Sequence, residues 1–319
     1  MKTIQKSLRG LSAWIVLFLT VILIAGCQRA QEGRILSEDG SSAQRPSENI
    51  SSGGADTGKA DNANADTLFT VSFIDVGKGD CILLRSAAHT VLVDTGYEET
   101  AGRVLNYLAK QGVEQIDELI VTHFDKDHVG GAPALLENVA VGKVYLPDYE
   151  GESRKYDKLV KSLTEQHVDT ERLREDITYT ADGVTYQLFV SGVAYDPEKE
   201  NDNDQSLVLL ATYAEDAWLF AGDLEKKGIK EFLERHGDVQ CAVLKLPHHG
   251  EKSGNTDNLL DSLQPEIAVI TDGLERPAEE DTWTLLEERG IVGYSTMQNG
   301  TIEIRGDGQG NYRVTTAKS

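Results

Sequence analysis

The most constraining feature of this chain is a junction near its middle. A short apolar run, Glu118-Leu119-Ile120-Val121-Thr122, gives way to His123-Phe124-Asp125-Lys126-Asp127-His128 and then to Gly130-Gly131. A run this short and this rich in Leu, Ile and Val predicts a buried strand rather than a helix. The sheet that holds it must open at that strand's C-terminal end, because His123, Asp125, Asp127 and His128 need a shared space beside it. Imidazole and carboxylate are the usual ligands of zinc and other divalent first-row metals. The chain has only seven histidines, and four of them form two close pairs, His123/His128 and His248/His249. A merely solvated turn would require neither this concentration nor the strand before it.

The remaining periodicity surrounds that junction with alternating strands and helices. Segments 68–75 and 81–85 read as strands joined by the tight turn Gly77-Lys78-Gly79-Asp80, so Asp75 and Asp80 are read as turn-forming. Further strands are expected at 90–94, 141–146, 185–190, 206–213, 217–221, 242–246, 267–270, 292–295 and 301–305. Helices are expected at 101–111, 132–137, 155–170, 226–235 and 282–289, the first stopped by Gly112. Hairpins followed by βα units predict an α/β chain built as two sheets flanked by helices, an αββα sandwich.

The first 27 residues carry Lys2, Lys6 and Arg9, then an uncharged run to Gly26, and no acid. This is the form of a secretion signal. Ile24-Ala25-Gly26-Cys27 resembles the lipobox of bacterial lipoproteins, which implies lipidation of Cys27 and an extracytoplasmic protein anchored to the membrane. An uncleaved anchor would leave the remainder facing outward as well. Residues 28–66 are rich in Ser, Gly, Ala, Asn, Asp and Glu and read as a flexible tether, with the folded domain at 67–319. The chain holds 31 Lys and Arg against 53 Asp and Glu, a net −22; loss of the three N-terminal cations leaves 28 against 53, or −25. Such a surface repels polyanions at long range and argues against broad electrostatic capture of nucleic acid. It leaves local metal chemistry on one phosphate open. Cys81 and Cys241 lie in apolar strand-like runs and read as buried thiols.

Thr122-His123-Phe124-Asp125-Lys126-Asp127-His128-Val129-Gly130-Gly131 resembles the signature of metallo-β-lactamase-fold hydrolases. Aspartate stands where the second histidine of His-x-His-x-Asp-His is usual, as in the extracytoplasmic domain of the ComEC competence-channel family. Phe73-Ile74-Asp75-Val76-Gly77-Lys78-Gly79-Asp80 is similar to that family's Asp-Val-Gly-Gln-Gly-Asp opening, and Val93-Asp94-Thr95-Gly96 to its first acidic motif. Asn203-Asp204-Gln205-Ser206, Phe220-Ala221-Gly222-Asp223 and Leu244-Lys245-Leu246-Pro247-His248-His249-Gly250 follow in the family's order. The resemblance spans roughly 68–305.

It implies two divalent metal ions, zinc before manganese. His123 and Asp125 would hold the first, Asp127, His128 and His249 the second, and Asp223 would bridge them. His248 would orient substrate or donate a proton, so Asp127 and His248 are the catalytic candidates. Asp94 would hydrogen-bond a ligating imidazole, with Asn203 and Ser206 close by. Superfamily members often add a histidine before the Gly-Asp motif, where this chain has only His167, expected on the surface. Asn203, Asp202 or Asp204 could serve there, or water could. Glu251 replaces the family's Ser after His-His-Gly and would repel a phosphodiester backbone.

A metal pair of this kind lowers the pKa of water and polarises the bond under attack, so no Ser or Cys nucleophile is needed. The implied activity is an extracytoplasmic phosphodiesterase or nuclease acting on a phosphodiester such as DNA. The alternatives are hydrolysis of another exported ester, a teichoic-acid substituent or a β-lactam, or a surface binding module without turnover. The expected partners are the membrane, through Cys27, and the ester substrate; no protein partner follows from the sequence.

Overall fold

The computed structural model describes residues 68–199 and 201–318, so the expectations for 1–27, for 28–66 and for Cys27 lie outside the described residues. The first half runs β1 (Phe69–Phe73), β2 (Ile82–Arg85), β3 (Thr90–Val93), α1 (Ala101–Lys110), β4 (Gln115–Ile120), α2 (Lys126–Val129), α3 (Ala132–Asn138), β5 (Ala140–Pro147), α4 (Arg154–Glu165) and β6 (Asp169–Leu173). The second runs β7 (Ile177–Ala181), β8 (Val184–Phe189), β9 (Val208–Tyr213), β10 (Asp216–Phe220), α5 (Lys226–His236), β11 (Val243–Lys245), α6 (Thr256–Leu263) and β12 (Ile267–Ile270). It ends with α7 (Glu280–Glu288), β13 (Val292–Ser295), α8 (Thr296–Asn299), β14 (Ile302–Gly306) and β15 (Tyr312–Thr316).

An eight-stranded sheet has the order β15-β14-β1-β2-β3-β4-β5-β6, and a seven-stranded sheet the order β13-β12-β11-β10-β9-β8-β7. The period-2 alternation of the strands gives each sheet two apolar faces. Ile82, Leu84, Val91 and Val93 point into a core between the sheets, where they meet Leu209, Trp218, Phe220 and Val269. Leu83 and Leu92, one residue out of phase, face a second core with Val104, Leu108, Leu135 and Leu159 from the helices. The other sheet packs its outer face on Ile229, Phe232, Leu259 and Leu285 in a third core. These layers are the expected αββα sandwich.

Both sheets place a parallel block at the site. β3 through β6 run parallel, as do β10 through β13. Parallel strands with helical crossovers gather their C-terminal ends along one edge, where α/β proteins bind ligands. Asp94, His123, Asp223, His249 and Asp272 all follow the ends of such strands.

The helix expected at 155–170 stops at Glu165, because His167 adopts φ 53° and residues 169–173 pair with β5 as β6. β7, α6 and β15 were not anticipated. β7 and β15 are sheet edges with alternately exposed residues, so their composition is polar and carries little strand signal.

Candidate metal centre

β3 ends at Val93, and Asp94 turns the chain with φ 57°, a conformation Asp tolerates better than most residues. The turn drives its fully buried carboxylate under the loop that follows β4. There Asp94 Oδ1 accepts from the Thr122 amide at 2.8 Å and Oδ2 from the Thr122 hydroxyl at 2.7 Å. Oδ2 also lies 2.7 Å from His128 Nδ1. A carboxylate can only accept, so His128 donates from Nδ1 and presents a bare Nε2 whenever its ring is neutral, a contact that fixes the tautomer of a metal-ligating imidazole.

His249 reaches the same state by another route. His248 and His249 follow β11 with φ 47° and 53°, and two successive left-handed residues carry local strain. The kink sends His249 inward, 1% exposed, and leaves His248 half-buried at the rim. His249 Nδ1 lies 3.0 Å from the Thr271 carbonyl, an acceptor only, so its Nε2 is bare too. The two Nε2 atoms stand 3.4 Å apart. Asp223 Oδ2 is 3.2 Å from one and 3.0 Å from the other, and Asp127 Oδ2 is 3.6 Å from His249 Nε2. Four electron-rich atoms converge on one point, which a cation would satisfy. His123 Nε2 is buried without any hydrogen-bond partner and lies 3.9 Å from Asp125 Oδ2, a second acceptor-lined position. The donor sets His123/His128/Asp223 and Asp127/His128/His249 each fall within 4.8 Å. The residues present therefore fit divalent metals.

Asp223 follows β10 through Gly222, where a Cβ would come within 2.6 Å of Ser206 Cβ. Ser206 uses that proximity: its hydroxyl accepts from the Asp223 amide at 3.0 Å and lies 3.4 Å from His123 Nδ1. Gly79 is required for a similar reason, since a Cβ there would stand 2.6 Å from the Asp127 carbonyl.

Two site residues escaped the sequence reading. Asp80, taken for a turn former, is 1% exposed and accepts from the Thr271 hydroxyl at 2.6 Å. It is also paired with Lys245. Lys245 is fully buried in β11 and donates to the Gly222 carbonyl at 2.8 Å, with Asp223 Oδ1 at 3.4 Å. A lysine inside the apolar run Ala242-Val243-Leu244-Lys245-Leu246 was the available signal, because a buried ammonium needs partners.

The electrostatics follow from these contacts. Burial disfavours charge on His128, yet the carboxylates of Asp223 and Asp94 outweigh it and hold the imidazole well above its usual range. Burial would raise Asp223, but His249, His128 and Lys245 keep it well below. Asp127 and Asp80 are lowered in the same way, Asp80 chiefly by Lys245. Burial and then His128 depress His123, favouring its neutral, ligating form.

The other expected residues lie at the margin. The Asn203 amide donates to Glu225 Oε1 at 2.9 Å, and Glu225 in turn faces His248 Nδ1 at 3.5 Å, so Asn203 meets the site through the His248 rim. Asp204 accepts from the amides of Glu225 and Gly228 at the start of α5. His167 is exposed, as expected. Glu251 does not face substrate as a lone charge, because Lys78 Nζ lies 3.8 Å and Arg276 Nη1 3.4 Å from its Oε1.

Comparison with known proteins agrees with this geometry. The metallo-beta-lactamase superfamily profile matches residues 74–271. ComE operon protein 3 of Bacillus subtilis is 30% identical over 257 residues, 74% of this chain and 33% of that protein. Competence protein ComA of Neisseria gonorrhoeae is 28% identical over 76% of this chain and 33% of its own length. The chain thus spans about a third of these curated relatives. Among solved structures, the metallo-beta-lactamase fold protein YhfI from Bacillus subtilis aligns with TM-score 0.51 at 10% identity, covering 75% of this chain and all of that one. The chain belongs to the metallo-beta-lactamase superfamily, with the hydrolase fold that generally binds two divalent metals, in the form carried by the ComEC-like competence proteins.

Proposed function

We propose that this protein is an extracytoplasmic two-metal phosphodiesterase, able to act as a nuclease, tethered to the membrane through lipidated Cys27. The observation that carries the reading is the convergence of His128 Nε2, His249 Nε2 and Asp223 Oδ2 within 3.4 Å of one another, with both Nδ1 atoms already committed to acceptors. Charge supports cation binding there. Asp80, Asp94, Asp125, Asp127 and Asp223 bring five carboxylates against the ammonium groups of Lys245 and Lys78, so the site carries an excess of negative charge that divalent ions would offset.

Asp127, His128 and His249 would hold one ion, His123 and Asp125 the other, with Asp223 between. Bound there, the pair supplies Lewis acidity and lowers the pKa of water, and its clamp suits phosphodiesters well. Asp125, in place of an imidazole, makes its site oxygen-rich, so zinc is the first expectation and manganese the second. Asp94 keeps the His128 ring in one tautomer. Lys78, 3.6 Å from Asp127, would meet a non-reacting substrate oxygen. His248, at the rim beside Glu225, would give a proton to the leaving group. The net charge of −22 favours a second reading, a wall ester rather than a nucleic acid.

The test is hydrolysis of bis-p-nitrophenyl phosphate and single-stranded DNA by metal-stripped protein reloaded with zinc or manganese, beside Asp127→Ala. Metal-dependent turnover lost in that variant is expected. Folded, metal-binding protein without turnover would sink the proposal. The anchor is checked separately, by incorporation of labelled lipid that Cys27→Ser abolishes.

A further inference from the structure

A cavity of about 810 Å3 adjoins the metal centre. Two residues of its lining touch the candidate ligands: Lys78 Nζ lies 3.6 Å from Asp127 Oδ2, and the Tyr97 hydroxyl bonds Asp127. Its charge is opposite to that of the chain. Lys78, Arg103, Lys126, Lys155 and Lys318 line it against Asp75, Glu99 and Glu275, whereas the chain has 53 acids to 31 bases. Asp75 is already taken up by Arg103 and Lys318, each at 3.4 Å, while Lys155 pairs with Glu98 and Lys78 with Asp127 and Glu251, so a phosphate there would exchange with those carboxylates and meet Lys126 directly. Lys126 projects from between Asp125 and Asp127 and is exposed. Tyr97, Met297 and Leu274 give the lining an apolar part, Leu274 being 89% exposed at the lip.

We propose that this cavity is a second subsite, which receives the nucleotide adjoining the scissile bond, with its phosphate among Lys78, Lys126 and Lys155 and its base against Tyr97, Leu274 and Met297. The inference rests on the phosphodiesterase reading and deepens it. Three considerations carry it. At physiological ionic strength charges are screened beyond about 8 Å, so a phosphate beside the metal centre responds to these cations rather than to the distant acidic surface. The volume falls within the range of small-molecule sites. Bases stack on aromatic and apolar side chains without regard to sequence, so an apolar wall beside cations suits a single strand. A polyol phosphate chain would meet the cations and leave that wall uncovered. The first position also departs from the family pattern: Lys78 stands where the quoted motif has Gln, adding a cation to the wall shared with the metal centre.

The test uses the full chain in detergent, loaded with zinc, and fluorescein-labelled phosphorothioate dT12, with binding followed by anisotropy across a salt series. Lys126→Ala/Lys155→Ala should weaken binding roughly tenfold and flatten the log–log salt slope by about 1.4 units, at 0.7 per lost single-strand contact. Leu274→Ser should weaken it roughly fivefold without changing the slope, since it removes only stacking surface. Wild-type binding by both variants would overturn the proposal, as would displacement of dT12 by a glycerol phosphate oligomer as effective as unlabelled dT12. Failure of the two proposals can be told apart. Turnover of bis-p-nitrophenyl phosphate with charge-indifferent dT12 binding removes the subsite alone, whereas charge-dependent dT12 binding without turnover removes the phosphodiesterase and leaves the cavity only a strand-binding site.

Discussion

Lys245→Met tests whether the metal centre is built over a buried counter-charge. The Lys245 ammonium touches Asp80, the Gly222 carbonyl and, at 3.4 Å, Asp223 Oδ1, with none of the residue exposed. At an effective dielectric of about 20, one unit pair at that separation is worth roughly 5 kcal/mol before desolvation. Methionine has nearly the same length, so packing changes little, but Asp80 keeps a buried charge with the Thr271 hydroxyl and the His249 and His128 rings, at 3.6 and 4.0 Å, in place of an ammonium. Breaking a buried pair from one side costs about 3–5 kcal/mol, a large part of the 5–15 kcal/mol typical of a domain. Guanidinium unfolding of metal-stripped protein should show that loss through the fluorescence of Trp218, which is fully buried between the sheets. Divalent metal should then stabilise the variant more than it stabilises the wild type, because the site has gained a negative charge. Adding Asp80→Asn removes the orphaned carboxylate and should recover about 2 kcal/mol. A stripped single variant within about 1 kcal/mol of wild type, or a double variant no more stable than the single, would refute the reasoning.

Asp94→Asn replaces an obligate acceptor with an amide that can turn a donor toward His128, and metal affinity measured by chelator competition should fall about 10- to 100-fold. The pH dependence of metal binding follows from His128. Its folded pKa is raised well above 6.5, so at neutral pH an incoming metal displaces its proton. Affinity should keep climbing past pH 7, with about one proton released per protein by calorimetry in buffers of different ionisation heat. The same shift stabilises the stripped fold fully below the unfolded value and is lost as pH rises through the folded one, so stripped protein should weaken toward alkaline pH while loaded protein does not. Glu251→Ser releases Lys78 and Arg276 from a rim carboxylate, and KM for an anionic diester should drop about two- to fivefold, less at high salt.

What was legible in the sequence follows burial. The C-terminal end of β4 and the whole of β11 are covered on both faces, so their apolar runs stood out, and the histidines came with them as interruptions at the strand ends. β6, β7 and β15 are edges, β6 exposed over its first three residues and the other two alternately wet, and their Thr, Glu and Arg content reads as loop or helix. The ligand candidates could be named because imidazoles are scarce here. Asp80 and Lys245 could not be paired, since 165 positions separate them and only the stacking of β2's approach against the end of β11 brings them together. Asn203 and Ser206 part for a related reason: Ser206 meets His123 and Asp223, while the intervening turn directs the Asn203 amide to Glu225.

The rim shows why single departures from a family motif mislead. Glu251 alone predicts repulsion of phosphate, and Lys78 alone predicts attraction. They stand 3.8 Å apart, on loops that follow β1 and β11, so each largely cancels the other's distant field. What survives is local: Lys78 still reaches Asp127, and Arg276 shares Glu251's charge. A substrate whose phosphate displaces Glu251 from Lys78 exchanges one exposed ion pair for another, a difference within about 1 kcal/mol. Selectivity must then come from contacts beyond the rim, and among the described residues the cation-lined cavity beside Tyr97 is where an extended phosphodiester would find them.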